Sequence, residues 1–287
     1  MSLNVLIAPS GFKESLSVLD VTEAIAEGIR AVLPDARILK APLVDGGEGF
    51  TEALVQATGG TLHPVAVTGP VGQPVTARIG FLGGAPVRTA VLEMAAAAGL
   101  SLVPRDRRNP CLTTSRGVGT LILAALDGGA ERILLGCGDS GINDGGAGMA
   151  QALGARLLDE DGREIGAGGA ELARLRRIDL GGLDPRLARV RIDAAVNWHN
   201  ALLGPRGVAR VFAPQKGASP EQVVLLEAAL ENYAAVIWRD LGIAVAEQAG
   251  SGASGGLGAG LHALLGARLH PRYDIVMQYL NLDDLMA

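Results

Sequence analysis

The sequence predicts an α/β protein of two lobes, one built on a parallel sheet and the other on mixed strands. Short apolar runs near the N-terminus alternate with glycine-containing loops and helical patterns. From residue 61 onward the pattern changes to longer β-rich runs joined by tight turns. Because repeated strand–loop–helix units form parallel sheets and adjacent β-rich runs form hairpins, these two patterns indicate two structural parts.

The composition indicates a soluble protein with a sizeable core and a small-molecule ligand. Of the 287 residues 48% are hydrophobic, and only 3% are aromatic, so that Ala, Leu, Val and Ile must fill the interior. The formal charge of −5, without a basic cluster, argues against a nucleic-acid partner. No apolar run is long enough to cross a membrane, and the two cysteines lack metal-binding spacing. We therefore expect a cytoplasmic protein that acts on a small molecule.

Residues 1–69 are predicted to form the parallel, Rossmann-like lobe. Residues 5–8 and 36–41 have the apolar character of neighbouring buried strands. Between them, Ser17 is a helix N-cap with Asp20 three residues later, and Pro34 ends the helix. Ligands of such sheets collect where the strands end. That edge should therefore carry Lys13, Asp45 and Glu48 in the loops after the two strands.

Residues 70–287 are predicted to form the second, mixed lobe. Residues 76–82 and 87–94 are β-rich and flank a Gly-Gly-Ala-Pro turn, which predicts a hairpin. Ser219, Pro220 and Gln222 form the start signal of a long helix. The glycine run at residues 250–258 enters an apolar helix directly, which favours a packed loop over a flexible linker.

The glycine-rich stretch at residues 136–149 is the strongest local signal for chemistry. It joins an apolar strand to a helix through a turn that carries Asp139, Asn143 and Asp144. Glycines let an anion approach the main chain, and the helix that follows offers free N–H groups. The stretch is therefore a candidate phosphate cradle beside carboxylates that would hold Mg²⁺. A plain strand-to-helix turn is the alternative interpretation.

Six motifs, in order and over most of the chain, resemble the bacterial glycerate kinase family of the glycerate 2-kinase type. They are Phe12-Lys13-Glu14-Ser15-Leu16, Asp45-Gly46-Gly47-Glu48-Gly49, Leu92-Glu93-Met94-Ala95, Thr113-Thr114-Ser115-Arg116-Gly117, Asn143-Asp144-Gly145-Gly146-Ala147-Gly148 and Pro214-Gln215-Lys216-Gly217. The resemblance implies a two-lobed α/β enzyme that transfers a phosphoryl group from ATP to D-glycerate, with Mg²⁺, and yields 2-phosphoglycerate.

The expected site roles follow from that resemblance and from the chemistry of phosphoryl transfer. Catalytic roles are expected for Lys13, Asp45 and Asp144, and Mg²⁺ ligation for Glu48 and Asp144. Substrate-binding roles are expected for Ser115, Arg116, Asn143 and Lys216, and nucleotide-binding roles for Gly138, Ser140, Gly145 and Gly146. Helix capping is the alternative for the carboxylates. An ordinary surface position is the alternative for the lysines, and a solvated helix start for Ser115 and Arg116.

Three substitutions and the end of the sequence depart from the family pattern. Ser10 and Asn197 stand where the family has aspartates, and Asp139 adds a negative charge to the expected phosphate loop. The family continues past this end through a strand and an acidic glycine loop. These departures favour a second hypothesis, an impaired or repurposed homologue that binds a small hydroxy acid or a protein partner. Under this second hypothesis we expect weak ATP binding, little turnover and a homodimer formed through an uncovered sheet edge.

Overall fold

The computed structural model describes residues 3–10 and 15–280, and these form the expected α/β architecture. The strands are β1 Asn4–Ile7, β2 Arg37–Lys40, β3 Thr61–Thr68, β4 Pro74–Phe81, β5 Thr89–Glu93, β6 Arg132–Gly136, β7 Arg156–Leu158, β8 Arg177–Asp179, β9 Arg191–Val196 and β10 Arg268–Pro271. The helices are α1 Val18–Val32, α2 Phe50–Thr58, α3 Ala95–Ala98, α4 Arg116–Asp127, α5 Ala147–Ala152, α6 Val208–Phe212, α7 Pro220–Leu241, α8 Ala253–Leu265 and α9 Arg272–Leu280. None of these helices is long and apolar enough to cross a lipid bilayer.

The N-terminal region contains the parallel strand pair and the helix that its sequence predicts. β1 and β2 lie side by side in parallel, with Val5 opposite Ile38. The Ser17 hydroxyl accepts a hydrogen bond from the Asp20 amide at 3.1 Å and caps α1. The chain connects β1 to β2 through α1, and the segment after β2 therefore begins at the carboxyl edge of this small sheet.

A six-stranded sheet forms the centre of the molecule, in the order β10-β9-β6-β5-β4-β3. The four strands from β10 to β5 are parallel, whereas β4 and β3 are antiparallel additions. The predicted hairpin is confirmed, because β4 pairs with β5 at Gly80 and Val91. β3 pairs with β4 along its whole length, so residues 61–68 belong to the large sheet. The division of the chain between residues 69 and 70 stays a prediction.

Apolar side chains alternate between the two faces of the central strands, which is why helices cover both. Leu92 and Leu135 lie in the cluster that contains the buried face of α4. Val91 and Leu134 point the other way and pack with Phe50 at the start of α2. This packing fixes the N-terminus of α2, and with it the preceding loop at residues 45–49, above the end of β5.

A second apolar cluster joins α7 to α5, α6 and α8. The predicted capping box starts α7, because the Ser219 amide donates to the Gln222 side chain and the Gln222 amide donates to the Ser219 hydroxyl. Tyr233 of α7 is fully buried, and its hydroxyl donates to the Gly145 carbonyl at 3.0 Å. α7 therefore holds the glycine-rich turn in place through this hydrogen bond.

Candidate active site

Polar side chains follow the carboxyl ends of five strands and surround two adjoining cavities. Asp45 follows β2, Glu93 ends β5, Asp139 follows β6, Asn197 follows β9 and Arg272 follows β10. Each of these residues lines at least one of the cavities. Ligands of parallel sheets bind at this edge because helix N-termini and loops converge there. The topology therefore builds the site from loops that are far apart in sequence.

The larger cavity, called the large cleft, has a volume of about 760 Å³ and a strongly acidic lining. Five carboxylates contribute to it: Asp45, Glu48, Glu52, Glu93 and Asp139. In the described part of the chain Arg78 is the one basic side chain of its lining, and it already pairs with Glu52 at 2.7 Å. A phosphate group would be repelled here unless a cation came with it.

Hydrogen bonds to two neighbouring loops hold the acidic loop at residues 45–49 in place. The Glu48 carboxylate accepts a hydrogen bond from the Ser101 hydroxyl at 2.6 Å. The Asp139 carboxylate accepts the Glu48 amide at 3.2 Å, and a Cβ atom on Gly47 would lie 2.1 Å from the same carboxylate. A side chain at position 47 would therefore displace the Asp139 carboxylate from this loop.

Glu93 is held at the bottom of the large cleft by the start of α2. Its carboxylate accepts the Gly49 amide at 3.3 Å and the Thr51 amide at 2.9 Å. Burial raises the pKa of the Glu93 carboxyl to about 7, because desolvation outweighs these two hydrogen bonds. Glu93 therefore changes charge near neutral pH inside the cleft.

We expect the Glu93→Gln variant to lose a pH dependence of stability that the wild-type protein has. The folded pKa of about 7 lies above the ordinary 4.5. The stability associated with the protonated carboxyl is therefore complete below about pH 4.5, and it is lost as the pH rises through 7. Between pH 5 and pH 8 the unfolding free energy of the wild type should fall by about 2 kcal/mol relative to that of the variant. Urea unfolding of both proteins at the two pH values measures this difference, and parallel curves would contradict the assignment.

The smaller cavity, called the small cleft, has a volume of about 110 Å³ and shares Asp45 and Asp139 with the large cleft. Its lining also includes Asn197, Lys216 and Arg272, together with Gly138, Ser140, Asn200, Ser254 and Gly255. The Arg272 guanidinium pairs with the Asp45 carboxylate at 2.8 Å. Basic groups are thus concentrated in the small cleft and acidic groups in the large one, and Asp45 lies where the two meet.

Lys216 lies in a short 3₁₀ turn before α7 and is almost fully buried. Its ammonium donates to the Ile142 carbonyl at 2.6 Å. Burial lowers the pKa of Lys216 to about 7, and the nearby Asp144 charge opposes that shift. Within the described residues the bond to the Ile142 carbonyl is the one hydrogen bond of the Lys216 ammonium, which therefore has donor capacity left for an anion in the small cleft.

Asp144 lies behind the small cleft and is saturated by hydrogen bonds from the protein. Its carboxylate accepts hydrogen bonds from five donors: the Ser115 amide at 2.7 Å, the Ser115 hydroxyl at 2.8 Å, the Gly146 amide at 3.2 Å, the Gly148 amide at 3.3 Å and the Thr114 hydroxyl at 3.4 Å. Burial raises its pKa. These bonds tie the start of α4 to the start of α5. In place of metal ligation and catalysis, we propose that Asp144 and Ser115 position the site.

Asn143 and Arg116, both expected to bind substrate, are placed very differently. Asn143 is fully buried, and neither its side-chain oxygen nor its nitrogen has a hydrogen-bond partner among the described residues. Arg116 is exposed at the first position of α4 and is absent from the lining of both clefts. The structure therefore buries Asn143 next to Ile142, whose carbonyl accepts the Lys216 ammonium, and leaves Arg116 at the surface.

The four residues expected to bind nucleotide divide into two pairs. Gly138 and Ser140 line the small cleft. Gly145 and Gly146 have left-handed backbones and lie against Tyr233 and Leu257, so that added Cβ atoms would meet those side chains. The second pair serves helix packing away from the clefts. Lys13, the remaining catalytic expectation, lies outside the described residues.

Two participants carried little signal in the sequence. Ser254 belongs to the glycine run at residues 250–258, which was interpreted as packing only. Arg272 sits in a region without any motif, and only the tertiary fold brings it to Asp45. The left-handed backbone of a non-glycine residue such as Ser254 marks functional sites. The sequence does not predict this left-handed conformation, however, because serine adopts it rarely.

Comparison with known proteins identifies the family. The model of the glycerate kinase family matches residues 5–287. The chain belongs to the glycerate kinase family. It is 48% identical to a glycerate kinase of Bacillus subtilis over 284 residues, which are 99% of this chain and 74% of the relative. It is 49% identical to a glycerate 2-kinase of Escherichia coli over 98% of this chain and 74% of the relative.

A solved structure supports the same family at the level of the fold. The protein is from Salmonella typhimurium LT2, and its crystal structure is described as that of a glycerate kinase 2. It matches with a TM-score of 0.85 and 50% sequence identity, over 99% of this chain and 76% of that one. The six motifs of this glycerate kinase family member therefore mark a shared architecture, and the chain spans about three quarters of its relatives' length.

Proposed function

We propose that the protein transfers the terminal phosphoryl group of ATP to D-glycerate and forms 2-phosphoglycerate. The observation that carries the proposal is the pair of clefts that meet at Asp45, one acidic and one containing Lys216 and Arg272. Phosphoryl transfer depends on placing charges on either side of the reacting phosphorus. The relatives named above, a glycerate kinase and a glycerate 2-kinase, indicate the acceptor.

Mg²⁺ suits the large cleft because carboxylates dominate its lining. In the described residues no group of three or more side chains forms a metal site by itself. Mg²⁺ in phosphoryl-transfer sites is held through one or two carboxylates plus phosphate oxygens and water. Glu48 would hold the ion, with phosphate oxygens and water as its other ligands. When bound, it neutralises phosphate charge at the cleft.

Asp45 is the best placed group to receive the proton of the attacking hydroxyl. It lies at the junction of the clefts, and its pairing with Arg272 fixes its orientation. The glycerate oxygen forms a bond to the terminal phosphorus, the bond from that phosphorus to the ADP oxygen breaks, and the hydroxyl proton moves to the Asp45 carboxylate. Lys216 offsets the charge of the transferred group from the small cleft.

The three substitutions that depart from the family pattern are compatible with this activity. Asp139 places its carboxylate on the Glu48 amide, so that the main chain offsets part of its charge. Asn197 lines the small cleft and accepts the His199 amide at 3.2 Å through its side-chain oxygen. Ser10 lines the large cleft as a neutral group, where other carboxylates remain. An impaired homologue is the alternative that an activity assay decides.

We also propose a cytoplasmic location and a homodimer, with no nucleic-acid partner. Among the described residues β1 and β2 form a sheet of only two strands, and each pairs on one side. Unpaired strand edges favour association with a second chain. Sedimentation velocity should then give the mass of two chains, and a monodisperse monomer would contradict the dimer.

The product distinguishes the proposed reaction from phosphorylation of another acid or at another hydroxyl. With ATP, Mg²⁺ and D-glycerate, ³¹P–¹H NMR should show a phosphorus coupled to the single proton on carbon 2. Coupling to the two protons of carbon 3 would instead identify 3-phosphoglycerate and would contradict the proposed regiochemistry. Lactate, which lacks the 3-hydroxyl, is the matched acceptor control.

A further inference from the structure

The start of α8 has an unusual backbone where it lines the small cleft. Ser254, Gly255 and Gly256 have φ values of 52°, 71° and 87°, whereas Gly252 is right-handed. Such a change of hand directs successive main-chain N–H groups towards a common point, an arrangement that binds anions. Holding serine in the left-handed region costs about 1 kcal/mol or more. A role for its side chain would explain why glycine does not occupy the position.

The Ser254 hydroxyl provides independent evidence for a ligand. Ser254 is 8% exposed and lines the small cleft, and its Oγ has no hydrogen-bond partner in residues 3–10 and 15–280. Leaving a buried hydroxyl unpaired costs about 1–3 kcal/mol. A bound anion would accept that hydrogen bond.

Asn143 and Lys216 converge on the same turn. A Cβ atom on Gly255 would lie 2.0 Å from the Ile142 carbonyl oxygen and 2.7 Å from the Asn143 Cα, so the turn packs directly against that segment. The same Ile142 carbonyl accepts the Lys216 ammonium. The Asn143 amide is buried without a described partner. The Ser254 hydroxyl and the Lys216 ammonium therefore both line the small cleft beside this turn.

The charges of the small cleft allow an anion to bind. Lys216 and Arg272 are its basic side chains, and Asp45 and Asp139 are its acidic ones. Arg272 pairs with Asp45, and Asp139 accepts the Glu48 amide. Lys216 therefore remains to meet an added negative charge. The volume of about 110 Å³ is small beside the 760 Å³ of the large cleft.

We propose that the small cleft is a phosphoryl-oxyanion subsite, formed by the Ser254 hydroxyl, the main-chain N–H groups of Ser254 and Gly255 and the Lys216 ammonium. The inference rests on the proposed function, since it assigns the position of a phosphoryl group in that reaction. It also replaces Gly145 and Gly146 of the expected phosphate loop by the turn of α8. The phosphoryl group belongs either to the nucleotide or to the phosphorylated acid.

Inorganic phosphate tests the subsite by titration calorimetry, without any turnover. The Ser254→Gly variant removes the hydroxyl and suits the left-handed backbone, so it should fold at least as stably as the wild type. We expect its phosphate dissociation constant to rise about tenfold, the loss of one hydrogen bond to a charged group. Ser251→Ala is the matched control, because Ser251 lies in the same glycine run with a buried unpartnered hydroxyl but lines neither cleft. Its dissociation constant should not change.

Equal phosphate binding by Ser254→Gly and wild type would overturn the subsite, as would an equal loss in Ser251→Ala. Phosphate inhibition that is competitive with ATP assigns the subsite to the nucleotide, and inhibition competitive with glycerate assigns it to the acid. Binding without any kinase turnover would contradict the proposed function and leave the subsite intact. Full kinase turnover together with unchanged phosphate binding in Ser254→Gly would contradict the subsite and leave the proposed function intact.

Discussion

The Lys216→Met variant is expected to retain its fold and to lose kcat by a factor of about 10² to 10³, the usual cost of removing one charge-stabilising donor from an active site. Methionine keeps the length of the side chain without its charge. The Ile142 carbonyl loses its hydrogen-bond donor, which lowers stability, whereas the desolvation cost of burying an amine is removed, which raises it. These two changes in unfolding free energy oppose each other, so the melting temperature should move little.

The small number of lysines makes this experiment unusually clean. The sequence contains three, Lys13, Lys40 and Lys216. Lys40→Met is the matched control, since that lysine pairs with Glu23 away from both clefts. In protein labelled with ¹³C-lysine, the signal lost in Lys216→Met should titrate near pH 7 in the wild type. Equal kcat for Lys216→Met and wild type would contradict the role of Lys216.

The Asp144→Ala variant is expected to lose about 3–5 kcal/mol of unfolding free energy, because five buried donors lose their acceptor at once. Reduced activity should follow from the displaced start of α5. A mainly catalytic role, as expected from the motif alone, would instead lower turnover far more than stability. Urea unfolding at pH 7 measures the difference. Asp161→Ala, at an exposed turn, is the control and should change stability by less than about 1 kcal/mol.

A loss below about 1 kcal/mol in Asp144→Ala with a thousandfold loss of kcat would restore the catalytic interpretation. The result therefore decides between positioning and chemistry for the most prominent carboxylate of the sequence. The Ser115 hydroxyl offers a second measurement, because it donates to Asp144 and accepts the Met149 amide at 2.9 Å. Ser115→Ala should lose stability in the same direction and by a smaller amount.

Periodicity and turn signals predicted much of the fold because they act locally. Ser17 and Ser219 cap the two helices that the surrounding sequence predicts, and the Gly-Gly-Ala-Pro turn joins β4 to β5. The pairing of β3 with the large sheet was not predicted, since strand partners are selected by tertiary contacts. The parallel order β10-β9-β6-β5 brings distant loops to one edge, which no local pattern specifies.

The candidate site was predictable in its residue types and less so in its geometry. Asp45, Glu48, Gly138, Ser140 and Lys216 reach the clefts as their motifs suggested. A sequence motif does not show how many hydrogen-bond donors of the protein surround a carboxylate. The number of such donors distinguishes Asp144 from the carboxylates that line the clefts. Ser254 and Arg272 depend on backbone hand and on long-range packing, which only coordinates reveal.

The steady-state turnover with ATP, Mg²⁺ and D-glycerate, coupled to ADP release, tests the central claim most directly. We expect kcat of about 1 s⁻¹ or more, the lower end of the range for kinases. Omission of D-glycerate or of Mg²⁺ should remove the signal. ATP binding in the clefts with kcat below about 10⁻³ s⁻¹ would contradict the claim and would identify the protein as a non-catalytic member of the glycerate kinase family.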